Sequence, residues 1–148
     1  MKLRFVHLVL LLPPSLLGCS QPVVDQSKLV ARSGIVYLIE SDGTSEHPFS
    51  GDSVSYYTNG QLRSKASLKG GRANGPAMSY YENGQLSSQI TFKDGKQEGS
   101  WTLYYENGQL SLKGNYIDGK EDGIWEKYRE DGRIDFRKTY KDGELLSP

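Results

Sequence analysis

From Gly51 onward the chain is built of short runs in which apolar and polar residues alternate, each run broken by a glycine beside Asn, Asp or Lys. Trp101, Leu103 and Tyr105 alternate with Ser100, Thr102 and Tyr104. A period of two is that of a strand with one face on the core. No stretch of this region keeps a long 3.6-residue apolar period, so no helix is predicted to cover the strands. The pattern also repeats. YYTNGQL starts at Tyr56, YYENGQL at Tyr80 and again at Tyr104, and YREDGRI at Tyr128, each 24 residues after the last. Gly51, Gly75, Gly99 and Gly123 open the units, Gly60, Gly84, Gly108 and Gly132 sit mid-unit, and Gly71, Gly95, Gly119 and Gly143 close them.

Each unit reads as a β-hairpin. Asn59-Gly60, Asn83-Gly84, Asn107-Gly108 and Asp131-Gly132 are predicted to form two-residue type I′ turns, with both central residues at positive φ. That register opposes Tyr105 to Leu110, Leu103 to Leu112 and Trp101 to Gly114, all on one face. It likewise pairs Tyr81 with Leu86 and Ala77 with Ile90, and sets Trp125 against Lys138 for a cation–π contact. Tyr56, Tyr80, Tyr104 and Tyr128 fall on the other, wetter face, opposite Arg63, Ser87, Ser111 and Asp135. Second turns at Lys69-Gly70-Gly71, Asp94-Gly95-Lys96, Asp118-Gly119-Lys120 and Asp142-Gly143-Glu144 join hairpin to hairpin.

A lone hairpin is marginal in water, so the units must stack. The expected fold is all-β: tandem 24-residue hairpins forming an elongated, twisted, single-layer antiparallel sheet. A two-sheet sandwich is the alternative, which the strict repeat disfavours. The four hairpin units span 51–146. Residues 35–50, with Val36 to Ile39 and Pro48-Phe49-Ser50, read as a degenerate capping unit, because terminal repeats are commonly atypical.

The N-terminus differs. Lys2 and Arg4 precede an apolar run from Phe5 that is too short and broken for a spanning helix. It reads as a signal peptide over 1–18. Leu16-Leu17-Gly18-Cys19 resembles the bacterial lipobox, with Leu17 bulkier than usual at its place. The resemblance implies cleavage between Gly18 and Cys19 and acylation of Cys19. An ordinary signal peptide with a chance cysteine is the alternative. Several acyl chains hold a protein stably on a membrane where one does so marginally. Ser20 favours the outer membrane, facing the periplasm, if the source is Gram-negative. Residues 19–34 read as a tether.

Composition removes function classes. Eighteen basic residues balance 18 acidic ones, which argues against nucleic-acid binding through phosphate contacts. The single cysteine excludes a disulfide framework and a cysteine-rich zinc site. His47 is the only histidine outside the leader. No Cys–His pair, Ser–His–Asp set or metal-ligand spacing occurs, so neither catalysis, nor a metal, nor a cofactor is predicted. Asp94, Asp118 and Asp142 recur where turns need them, which accounts for them without a calcium ladder.

Gly-x-Trp-x-x-Tyr at Gly99 to Tyr104 and Gly123 to Tyr128, with the Tyr-Glu-Asn-Gly and Asp-Gly-Lys turns, resembles the bacterial MORN-repeat variant over about residues 36–146. That resemblance implies a non-catalytic repeat protein, with antitoxin-like function among the labels it carries. The expected role is a protein-binding scaffold anchored in the envelope through Cys19, antitoxin- or immunity-like. The binding face is expected at Tyr56, Tyr80, Tyr104 and Tyr128. The alternative role is a glycan- or peptidoglycan-binding envelope module using the same tyrosines.

Overall fold

The computed structural model describes residues 22–39 and 46–147. Its strands are β1 (Val23–Asp25), β2 (Leu29–Arg32), β3 (Ile35–Ile39), β4 (Glu46–Pro48), β5 (Gly51–Tyr56), β6 (Leu62–Lys69), β7 (Arg72–Tyr80) and β8 (Leu86–Lys93). They continue with β9 (Lys96–Tyr104), β10 (Leu110–Ile117), β11 (Lys120–Glu121), β12 (Gly123–Tyr128), β13 (Ile134–Lys141) and β14 (Glu144–Ser147). One 3₁₀ turn, Gln26–Lys28, follows β1. An 11-stranded sheet runs in the order β1-β5-β6-β7-β8-β9-β10-β12-β13-β14, with β11 paired to β10. The fold is therefore the expected succession of antiparallel hairpins, with two additions at the N-terminal end, the first being β1 beside β5. The second is a three-stranded sheet, β2-β3-β4.

The segment expected as a tether over 19–34 is folded from Val23 onward. Strand β1 pairs in parallel with β5, and β2 pairs with β3. Val23-Val24 and Leu29-Val30 supply the apolar residues for these strands. The small sheet bonds to the first hairpin through Val36 N–H to Gly71 O (2.8 Å) and Gly71 N–H to Phe49 O (2.7 Å). Phe49 is buried there.

The mid-unit turns are not the expected type I′ turns, which stand instead at the second turns, where no type was expected. At Asn107-Gly108, Gly108 N–H donates to Tyr105 O (2.9 Å) and Tyr105 N–H to Gln109 O (2.8 Å). This closes a three-residue loop, Glu106-Asn107-Gly108, in which only the glycine has positive φ (81°). Asn107 accepts the Gln109 N–H on Oδ1 at 2.9 Å, an Asx turn that holds the loop without a left-handed asparagine. The same pattern recurs at Asn59, Asn83 and Asp131. The two-residue type I′ turns stand at the other end of the sheet. Asp94 and Gly95 have φ of 50° and 86°, Asp118 and Gly119 53° and 82°, Asp142 and Gly143 53° and 86°. Aspartate tolerates that region better than most residues.

The extra loop residue is absorbed by a bulge. Leu112 pairs with Leu103 and Gly114 with Trp101, as expected, but Leu110 pairs with Tyr104 rather than Tyr105, and Ser111 is skipped. Ala77 pairs with Ile90 as expected, while Leu86 pairs with Tyr80 rather than Tyr81. Arg63, Ser87, Ser111 and Asp135 are therefore the bulged residues, not partners of the tyrosine column. Each bulge carries its leucine or isoleucine across to the tyrosine face.

The remaining face bears most of the core, although Val54 is buried on the tyrosine face. Trp125 is 5 % exposed and lies among Trp101, Tyr116 and Tyr140, with ring centroids 5.5, 5.1 and 6.1 Å away. Gly114 makes room for it, since a Cβ there would overlap the Trp125 ring. Lys138 pairs with Trp125 along the strand, but its ammonium sits over Phe136, 5.0 Å from the ring centre. The expected Trp125–Lys138 cation–π contact is thus redirected to Phe136.

Candidate functional site

The residues proposed from sequence lie in two places. Gly18 and Cys19 fall outside the described residues. Tyr56, Tyr80, Tyr104 and Tyr128 share one face of the large sheet, and each is paired across its hairpin with an aliphatic residue: Leu62, Leu86, Leu110 and Ile134. Paired residues project from the same face. The result is a band of alternating tyrosine and aliphatic side chains crossing eight strands, from β5 to β13. Its two ends are open: Tyr56 is 53 % and Ile134 48 % exposed. The six residues between are half-buried. Sequence reading placed the tyrosines on this face but missed the aliphatic column, because alternation counted through a bulge reverses its sense.

The neighbouring tyrosines have a different task. Tyr57, Tyr81 and Tyr105 donate their hydroxyls to the main-chain carbonyls of Tyr80, Tyr104 and Tyr128, each at 2.7 Å. Each ring therefore ties its hairpin to the next. Asn59 and Asn83 add side-chain bonds to Glu82 O and Glu106 O, 23 residues ahead. These bonds repeat from unit to unit and fix the spacing of the outer band.

At the C-terminal end the band meets a charge cluster. Glu126 is 5 % exposed. It accepts hydrogen bonds from Lys113 Nζ (2.7 Å), Tyr128 Oη (2.6 Å) and Arg137 Nε (2.6 Å). Lys113, then Tyr128 and Arg137, hold its carboxyl well below the usual range, at about 2, against the opposing effect of desolvation. The Lys113 ammonium also lies 5.8 Å from the centre of the Tyr128 ring. A carboxylate so fully engaged is an ionic cross-link over β10, β12 and β13, and its low proton affinity suits no acid–base task near neutrality. Sequence reading gave Glu126 no role. The signal was its registration between Lys113 and Arg137 across three strands.

The other candidates are structural or isolated. His47 lies exposed on β4, paired with Leu38. Asp94 accepts a bond from Asn74 Nδ2 (3.0 Å), and Asp118 one from Lys96 Nζ (2.7 Å). Both serve turns. Among the described residues no group of three or more His, Cys, Asp or Glu side chains is placed to hold a metal ion. No helix among them is long and apolar enough to cross a membrane.

No curated protein matches the chain. Three segments, 50–69, 73–94 and 97–118, match the family model of the MORN repeat variant. They coincide with the first three hairpins, β5–β6, β7–β8 and β9–β10. The fourth, β12–β13, keeps the same loop and bulge but departs in sequence, with Arg129, Asp131 and Arg133 where the others have Tyr, Asn and Gln. The chain thus carries three MORN repeats of the variant type, a module that generally binds rather than catalyses.

Proposed function

We propose that this protein is a non-catalytic repeat scaffold, exported and lipid-anchored through Cys19, that binds a protein partner along the Tyr56-to-Ile134 band. The observation that carries the reading is the uniformity of the band. All four units place a tyrosine opposite an aliphatic residue on the outer face, although the inner face differs from unit to unit. Residues that combine an apolar body with a polar tip suit a surface that is wet when free and buried when bound. Seven strand steps make the band roughly 34 Å long at about 4.8 Å each, the span of an extended chain of about ten residues. An anchored, exported scaffold suits an immunity-like role at the envelope better than a cytosolic antitoxin role.

The test is capture from detergent-solubilised envelopes, with a peptidoglycan sedimentation assay beside it. Full-length protein should retain a discrete partner. Tyr80→Ala plus Tyr104→Ala should lose it while remaining folded, and Lys96→Ala, at a distant turn, should keep it. Equal recovery by the folded double variant would remove the band from consideration. Mass spectrometry of the mature N-terminus should find acylated Cys19 as its first residue. An unmodified cysteine in the membrane-extracted protein would end the anchoring proposal.

A further inference from the structure

The inner face carries a second feature. One row of in-register positions crosses the sheet as Ser55–Ser64–Ser79–Ser88 in the first two hairpins and as Leu103–Leu112–Lys127–Phe136 in the last two. Small hydroxyl residues thus stand where later units carry bulk. The space they leave is a groove of about 530 Å³ whose lining includes Ser55, Ser64, Ser79, Tyr57, Tyr81 and Arg63. Ser55 and Ser64 share a hydrogen bond of 2.7 Å. Gln26 Nε2, also in the lining, donates to Ser64 Oγ at 3.3 Å; since each hydroxyl can donate once and accept twice, the pair still keeps one donor and two acceptor places.

Arg63 supplies the charge. It is the bulged residue of the first hairpin, exposed, with its guanidinium 5.7 Å from the centre of the Tyr57 ring. No carboxylate pairs with it among the described residues. The corresponding place in the fourth unit holds Asp135, which is bound to Arg129 at 3.1 Å. In the second unit it holds Ser87, so no cation covers Tyr81 as Arg63 covers Tyr57. The groove therefore offers one fork-shaped cation, a cluster of serine hydroxyls and a tyrosine ring.

We infer that this groove binds an acidic saccharide, a sugar chain bearing a carboxylate that Arg63 takes up. The serine hydroxyls along one wall of the groove can donate to and accept from the hydroxyls of a sugar. An apolar ligand would leave the hydroxyls unsatisfied, at a cost in free energy. A multiply charged phosphate chain would call for more than one cation. Arginine suits a planar carboxylate through paired N–H bonds, and the half-buried Tyr81 ring presents an apolar surface to the C–H face of a sugar.

The test is an NMR titration of the full chain with three probes: tetragalacturonate, the N-acetylglucosamine–N-acetylmuramic acid disaccharide, and neutral chitobiose. At least one of the two carboxylate sugars should bind, with shifts at Ser55, Ser64 and Ser79, and the preferred one identifies the source as a uronate polymer or a cell-wall strand. Chitobiose should bind at least tenfold more weakly. Arg63→Gln should weaken binding by roughly tenfold or more, as loss of a charge-assisted hydrogen bond does. Ser79→Leu, which installs the side chain of Leu103, should abolish binding with no loss of melting temperature. The inference is overturned if neither carboxylate sugar binds, if chitobiose binds equally well, or if both folded variants bind like the parent.

Discussion

Tyr104 and Tyr105 are neighbours in the chain, yet they serve opposite faces of one sheet. Tyr105 reaches across to the next hairpin and spends its hydroxyl on Tyr128 O. Tyr104 stands on the outer face opposite Leu110. The contrast extends along the tyrosine band, though not to every outer position: Val54, Met78, Thr102 and Glu126 also differ from unit to unit. On the inner face, equivalent positions differ between units, Ser53, Ala77, Trp101 and Trp125 being one column. Each unit there meets different surroundings: the small sheet at one end, the aromatic cluster at the other. On the outer face the Tyr and Leu/Ile columns barely change. Inner side chains are shaped by what they pack against, whereas the outer band repeats one chemistry along its length. The fold should therefore depend on the inner face and the proposed partner on the outer one.

The largest test of that division is Trp125→Ala. With three rings packed around it, its loss should cost about 3–5 kcal/mol, read by chemical denaturation. Gly114→Ala attacks the same cluster by overpacking and should cost about 1–3 kcal/mol. If either variant unfolds near the parental midpoint, the inner face does not bear the fold.

Glu126 sharpens the comparison, because it is a stabilising group on the outer face. Its folded carboxyl titrates at about 2, below the ordinary value of 4.5. A depressed carboxyl stabilises the fold fully above its unfolded pKa, and that contribution is lost as pH falls through the folded pKa. The melting temperature should thus drop between about pH 4.5 and pH 2. Glu126→Gln should lower it at pH 7, by about 2 kcal/mol in stability, and flatten the acid limb. An unchanged acid limb in the variant would assign it to other carboxylates.

Much of this architecture was legible in the sequence. The 24-residue period, the hairpin units and the inner pairs Trp101–Gly114 and Ala77–Ile90 follow from glycine columns and alternation, which are local signals. The bulge at Ser111 was not legible. A two-residue turn and a three-residue loop with a bulge reach the same register from Leu103 inward, so the inner pairs could not distinguish them. Asn-Gly suits both turns, and Asp94-Gly95 is an equally good type I′ sequence. The folding of Val23 to Arg32 depends on pairing with β5 and β3, which no local pattern announces. The tyrosine column was legible as a face, but its aliphatic partners were not, for the same reason as the bulge. The serine groove needed the cross-strand register before its hydroxyls formed a row.

The turns give the smaller effects. Asp118→Ala should cost about 1 kcal/mol, because alanine at positive φ is strained, whereas Asp118→Gly should cost less. Asn107→Ala should cost only about half a kcal/mol, the loss of one exposed side-chain bond to the Gln109 N–H. If Asn107→Ala proved the more damaging, the assignment of the two turn types would have to be exchanged.

The most direct measurement of the divided faces uses two pairs of adjacent tyrosines. Thermal melting should be compared for Tyr81→Ala plus Tyr105→Ala and for Tyr80→Ala plus Tyr104→Ala. Both variants delete the same atoms, one residue apart. The first also removes two bonds that tie hairpin to hairpin. The account predicts that it lowers the melting temperature at least twice as far as the second, which stays folded at 25 °C. Equal losses, or a greater loss from Tyr80 and Tyr104, would contradict it.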